Sequence, residues 1–162
     1  MKPIALLLAA ACVAPAFAAG DGDSIDSTVK AVYAVISGPA GPRDWARFRA
    51  LFAEGARLIP VRVKGPESTA VILTPEDYIK RASPNFEKNG FFESEVSRRV
   101  EEFGAVAHVF TTYESRHAAG EKPFARGINS IQLVRLDGRW KVMTILWDSE
   151  REGNPLPEKY LK

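Results

Sequence analysis

The sequence predicts an α+β fold in which helices cover one face of a large antiparallel sheet. Two observations carry this. Residues 91–103, 105–116, 124–135 and 139–148 are four successive runs rich in β-branched and aromatic side chains. Gly104, Ala119-Gly120-Glu121 and Asp137-Gly138 separate them at lengths suited to hairpins. The first ninety residues instead carry mostly helical patterns behind a secretory leader.

In chain order the leader comes first. Lys2 supplies a positive start, residues 4–13 a short apolar core, and Ala16-Phe17-Ala18 an A-x-A cleavage site. The apolar run is too short to span a bilayer, and Asp21-Gly22-Asp23 follows at once, so no membrane span is expected. Cys12 is the sole cysteine and falls inside the leader. Ala9-Ala10-Ala11 before it lacks the leucine of a lipidation site. The expectation is a cleaved signal peptide over residues 1–18 and a disulfide-free mature chain, periplasmic or secreted. Residues 19–23 read as a short exposed start and residues 24–162 as one domain, long enough for a proper core. The 22 Lys and Arg against 20 Asp and Glu leave a formal charge of +2, with both signs interspersed. Without a basic stripe or a cationic amphipathic helix, nucleic acid and membrane surfaces drop out as partners.

Residues 24–37 place Ile25, Val29, Val32, Tyr33 and Ile36 on one helical face, and Gly38-Pro39 ends that helix. A second helix is expected from Pro42, whose fixed φ suits a first turn. Trp45, Phe48, Leu51 and Phe52 form its apolar face, and Gly55 stops it. Residues 56–63 and 69–73 read as strands joined through Lys64-Gly65-Pro66-Glu67. Thr74-Pro75-Glu76-Asp77 opens a third helix with a capping side chain, a preset φ and two acids at the positive dipole end. That helix is expected to end at Pro84, with Phe86 and Asn89-Gly90 leading into the long strands.

In the last two strands, Ile128, Ser130, Gln132 and Val134 alternate with Asn129, Ile131, Leu133 and Arg135. Trp140, Val142, Thr144 and Leu146 alternate with Lys141, Met143, Ile145 and Trp147. Apolar residues fall on both faces, whereas a half-exposed sheet alternates cleanly. Both faces should therefore be covered, one by the helices and one by a second subunit. Loops or the C-terminal tail are the alternative cover for that second face.

Several strings then resemble a known family. They are Asp44-Trp45-Ala46-Arg47-Phe48 with Phe52, Ala56-Arg57-Leu58-Ile59-Pro60, Ala107-His108-Val109-Phe110 and Tyr113-Glu114-Ser115-Arg116. Gly127-Ile128-Asn129-Ser130-Ile131-Gln132-Leu133, Asp137-Gly138-Arg139-Trp140, Trp147-Asp148 and Asn154-Pro155-Leu156-Pro157 continue the match to Tyr160-Leu161. Together they resemble the nuclear transport factor 2-like superfamily, which includes ketosteroid isomerase and polyketide cyclases, and within it secreted bacterial members of unassigned function. The resemblance covers nearly all of the mature chain. It implies a cone-shaped, strongly curved sheet, mixed or antiparallel, with about three helices from the N-terminal half closing an apolar pocket. It also implies a homodimer. Enzymes, binders and scaffolding modules share this cone, so the fold does not select among them.

An isomerase of the ketosteroid type needs a carboxylate base in an apolar pocket and donors where an enolate oxygen develops. Three residues are candidates for catalysis. Asp148, beside Trp147 at the end of the last strand, is an acid or base if it faces the pocket, and otherwise binds an arginine or a backbone N–H. His108, between Ala107 and Val109, is a base or a structural histidine. Tyr113 offers a phenol, or packs with its oxygen at the edge. For ligand binding, Asn129 presents an amide that must find partners among apolar strands. Arg98 shares parity with Val96 and Val100, which points it inward to pair with Asp148 or to hold an anion. Trp147, Tyr33, Trp45 and Phe92 are candidate pocket wall. Two histidines without a mature cysteine give no metal site, and no cofactor motif is present. The leading expectation is a cavity that binds a small, mostly apolar molecule. The alternatives are an acid/base lyase or isomerase, and a non-catalytic interaction module.

Overall fold

The structure, a computed structural model, describes residues 20–162. The leader expected over residues 1–18, with Cys12, lies outside the described residues. The segment read as an exposed start is instead tied down. Asp21 is 6% exposed, and Arg47 forks onto both of its carboxylate oxygens, Nε at 2.7 Å and Nη2 at 3.0 Å. The Trp140 N–H also bonds the Gly22 carbonyl.

Helix α1, Ile25–Ile36, starts in a capping box in which Ser24 and Ser27 each accept from the other's backbone N–H. It buries Val29, Val32, Tyr33 and Ile36 as their spacing predicts. Helix α2 is a short piece, Trp45–Ala50. It begins three residues after Pro42 because the Asp44 carboxylate, and not a preset proline, satisfies a first-turn donor, the Arg47 N–H at 2.9 Å. Strand β1, Phe52–Lys64, follows almost without a break and runs through Gly55, the expected helix stop. Gly55 takes a φ of +77° inside a register shift between Phe52 and Arg57, so the glycine serves a bulge. Strand β2, Glu67–Ala70, folds back on β1.

Helix α3, Pro75–Lys88, has the expected cap, a reciprocal pair between Thr74 and Asp77. It does not stop at Pro84, which lies inside it. The proline sits on the exposed side, where the carbonyl it leaves unpaired can meet water. The next inward residue, Phe86, is 5% exposed and stacks with Phe91 at 4.9 Å. Burial of that ring outweighs the lost hydrogen bond.

Strands β3, Phe92–Phe103, β4, Val106–Arg116, β5, Ala125–Leu136, and β6, Arg139–Ser149, form the antiparallel meander that the four runs predicted. The sheet order is β2-β1-β6-β5-β4-β3, and β1 joins β6 in parallel, so the sheet is mixed. Bulges between Glu95 and Ser97, and between Gln132 and Leu133, bend the strands around the helices. Val29, Phe48, Leu51, Val109, Ile131 and Val142, each at most 1% exposed, form the centre of the core.

Odd-numbered residues of β4 and β5 face the helices, among them Val109, Thr111 and Tyr113, and Asn129, Ile131 and Leu133. The outer face is partly covered by the chain's own C-terminal end. A 3₁₀ turn, Glu158–Tyr160, lies across β3 and β4. There the Tyr160 carbonyl accepts from Ser97 and Thr112 hydroxyls, both at 2.6 Å, and its ring packs on Phe110. Of the two expected covers, the tail takes this part of the sheet.

Candidate functional site

Between the inner faces of α1 and α3 and the concave side of the sheet lies a cavity of about 230 Å³. That is space for roughly eight waters at liquid density. Its wall is mostly apolar and aromatic, with Phe48, Phe91, Trp147 and Ile145 among the lining residues. Phe124, 51% exposed, marks the mouth, with His117 stacked on it at 4.2 Å. Polar groups are set into the wall near one another in the fold: Glu93, Tyr78, Tyr113, Ser115 and Asn129. Among the described residues, none of the side chains that line it is cationic.

Among the described residues, Glu93 is the one acid in this wall. It stands near the start of β3, opposite Ser115 on β4, whose hydroxyl donates to Glu93 Oε2 at 2.9 Å. Its own N–H donates to Ser37 Oγ at 2.9 Å, which pins the strand to the end of α1. The surface the carboxyl keeps belongs to the cavity, so it ionises with little help from bulk water. Burial pushes its pKa up from 4.5 to about 7, against the opposing pull of the Ser115 hydroxyl and the Asn129 amide. Both protonation states are therefore populated near neutral pH.

Tyr78 reaches the same cavity from α3, its ring stacked on Phe48 at 5.4 Å. Among the described residues its hydroxyl has no hydrogen-bond partner, and it is not sealed from the cavity. Burial, and then the nearby Glu93 charge, push its pKa upward, so it remains a neutral donor. Tyr113 is bonded to Ser149 Oγ at 3.0 Å, with its pKa raised by burial. The residue across from it is Gly127, where any Cβ would sit 2.6 Å from the Tyr113 hydroxyl. The missing side chain makes the space that this phenol occupies. Asn129, 7% exposed, donates from Nδ2 to the Tyr33 hydroxyl at 3.1 Å.

Of the residues picked out in the sequence, Tyr113, Asn129 and Trp147 line the cavity. Tyr33 stands behind Asn129, bonded to Thr111 at 3.1 Å. Trp45 packs on Phe48 and Phe86 away from the lining. Phe92 is displaced from the wall by its neighbour Phe91, because successive strand residues point to opposite faces. His108 shares the outer parity of β4, bonded to Ser130 Oγ at 3.1 Å and 3.8 Å from Glu101. Asp148 takes the rim role, accepting from Arg151 at 2.7 Å and from the Ser149 N–H at 2.9 Å. Arg98 forms an ion pair, but with Glu95 at 2.5 Å and Asp26 at 3.3 Å and not with Asp148.

Counting parity back from Val100 and Arg98 turns Glu93 and Glu95 to solvent. The bulge between Glu95 and Ser97 adds one residue and inverts the phase, so both acids turn inward. The signal in the sequence was the polar pair itself, Glu93 and Ser115, on strands that otherwise alternate. Among the described residues no three His, Cys, Asp or Glu side chains converge to hold a metal ion. No helix there is long and apolar enough to cross a membrane.

No protein-family model and no curated protein matches the chain. Solved structures do match its fold. A protein of unknown function with a cystatin-like fold from Nostoc punctiforme superimposes with a TM-score of 0.61 at 10% identity, over 83% of this chain and 94% of that one. A nuclear transport factor 2-like protein of unknown function from Pseudomonas putida gives 0.60 at 11% identity, over 88% and 96%. Another such protein, from Cytophaga hutchinsonii, gives 0.58 at 16% identity, over 78% and 95%. At these identities the shared property is the fold, a nuclear transport factor 2-like cone of helices on a mixed six-stranded sheet.

Proposed function

We propose that the cavity binds a small, mostly apolar molecule and that Glu93 exchanges a proton with it. The observation that carries this is a carboxyl with a pKa near 7, the one acid among the described residues of an apolar wall, beside a phenol, Tyr78, that has no hydrogen-bond partner among them. A volume of about 230 Å³ suits a substituted single ring. The chemistry such a pair supports is proton transfer beside a carbonyl, as in an isomerase or lyase. The Glu93 carboxylate removes a proton from the carbon next to the carbonyl, and the freed electron pair moves onto the carbonyl oxygen as an enolate. Tyr78 donates a hydrogen bond to that oxygen. The proton then returns from Glu93 to another carbon, or a neighbouring leaving group departs and the carbonyl reforms.

Acetophenone in D₂O tests this, with exchange of its methyl protons followed by NMR. The intact protein should accelerate exchange, and Glu93→Gln should lose roughly 100-fold or more of it while keeping its circular dichroism. Acetophenone binding without exchange would leave a binding site and remove the acid/base role. The proposal includes export to a periplasm, on the strength of the leader pattern, which mass spectrometry of the exported chain checks. It also includes a homodimer through the uncovered part of the outer face, where Leu146 is 39% and Val106 55% exposed. Sedimentation of the purified chain checks that state.

A further inference from the structure

Behind Glu93 a line of buried hydrogen bonds crosses three strands and a helix, and its proton count fixes its direction. Arg98 donates to Glu95 Oε2 from Nε at 2.9 Å and from Nη2 at 2.5 Å. Each of these two side chains is 18% exposed. A carboxylate in such a pair only accepts. Thr111 therefore spends its single proton on Glu95 Oε1, at 2.6 Å. Tyr33, 3.1 Å from Thr111 Oγ1, must then donate to it, so the Tyr33 oxygen is left to accept. Only one orientation of the Asn129 amide suits that acceptor, the one with Nδ2 toward Tyr33, at 3.1 Å. Asn129 and Glu93 line the same cavity, where an amide nitrogen favours the Glu93 charge and an amide oxygen would oppose it. Thr111 is fully buried, and Tyr33 and Asn129 are 5% and 7% exposed, so water does not substitute along the line.

We infer that the Arg98–Glu95 ion pair, outside the cavity, sets the direction of this line and so fixes Asn129 as a donor to the Glu93 carboxyl. Glu95, Thr111 and Tyr33 are thus positioning residues. This rests on the reading of Glu93 as the acid/base group of the cavity. Besides Asn129 and Ser115, the titratable groups around Glu93 are Tyr33 from α1, Tyr78 from α3, Tyr113 from β4 and Glu95 on β3 itself. All three tyrosines are held above their ordinary pKa by burial, which leaves the hydrogen bonds as the adjustable influence.

Glu95→Gln tests the direction. Its amide can donate to Thr111, which lets the line reverse and turns the Asn129 carbonyl toward Tyr33. Glu93 then loses a donor to its charged form. The readout is the ¹³C titration of the Glu93 carboxyl, assigned with Glu93→Gln. In Glu95→Gln its midpoint should rise by roughly one pH unit, the size expected for one hydrogen bond to a charged group. Thr111→Val cuts the line at its middle and should move the midpoint the same way. It also decides the matter if Glu95→Gln does not fold. Ser115→Ala, which removes the direct donor, gives the upward shift for comparison. A midpoint unchanged in Glu95→Gln and Thr111→Val, but moved in Ser115→Ala, overturns the inference. A parent midpoint near 4.5 would instead defeat the acid/base reading, and the differences between variants and parent would still judge the line.

Discussion

A carboxyl with a folded pKa near 7, against an ordinary 4.5, takes up a proton on folding at pH values between the two. The folded chain binds more protons than the unfolded chain in that window, so stability falls as pH rises from about 4.5 to about 7 and is flat above. The full loss is about 3 kcal/mol. Glu93→Gln removes this dependence. Urea unfolding at pH 5 and pH 8 should show the variant more stable than the parent at pH 8 and similar to it at pH 5. At this scale Tyr113, Asn129 and Trp147 were legible because each is a large or polar residue in an apolar run. Glu93 was not, since an acid in a stretch of alternating charges looks the same as a solvated one. What separates Glu93 from Glu101 is the bulge, and a bulge has no fixed residue signature when its extra position is a Val.

The elements were legible where local chemistry and burial agree. Ser24 and Thr74 announce their helices because each finds a reciprocal partner three residues on. Gly104 and Asp137-Gly138 mark turns that need positive φ, and both glycines have it, at +58° and +78°. The misses fall where tertiary contact overrides the local signal. Pro84 is the clearest, because the ring of Phe86 holds the helix past it. Pro84→Ala should restore an α-helical N–H on the exposed side and stabilise the fold by about 1–3 kcal/mol. A higher melting temperature, with unchanged near-ultraviolet circular dichroism, is the expected result. A lower one would mean that the fixed φ of Pro84 directs the chain toward Phe86.

For the whole molecule, the order of helices before strands was enough to give a layered α+β fold, and the resemblance supplied the cone. The parallel join of β1 to β6 was not readable, since nothing local records which edge a distant strand chooses. That join nonetheless matters to function, because it closes the sheet far enough to bring Leu58 of β1 and Ile145 of β6 into one wall with Glu93 of β3. The curvature holds a carboxyl away from bulk water on one side and leaves it a small apolar space on the other. The most direct test of this account follows the Glu93 carboxyl by ¹³C NMR from pH 4 to pH 9, with and without acetophenone. The account predicts a midpoint near 7 in the free protein that moves when the ketone fills the cavity. A midpoint near 4.5 that ignores the ketone would show a solvated acid beside an unused space, and would contradict it.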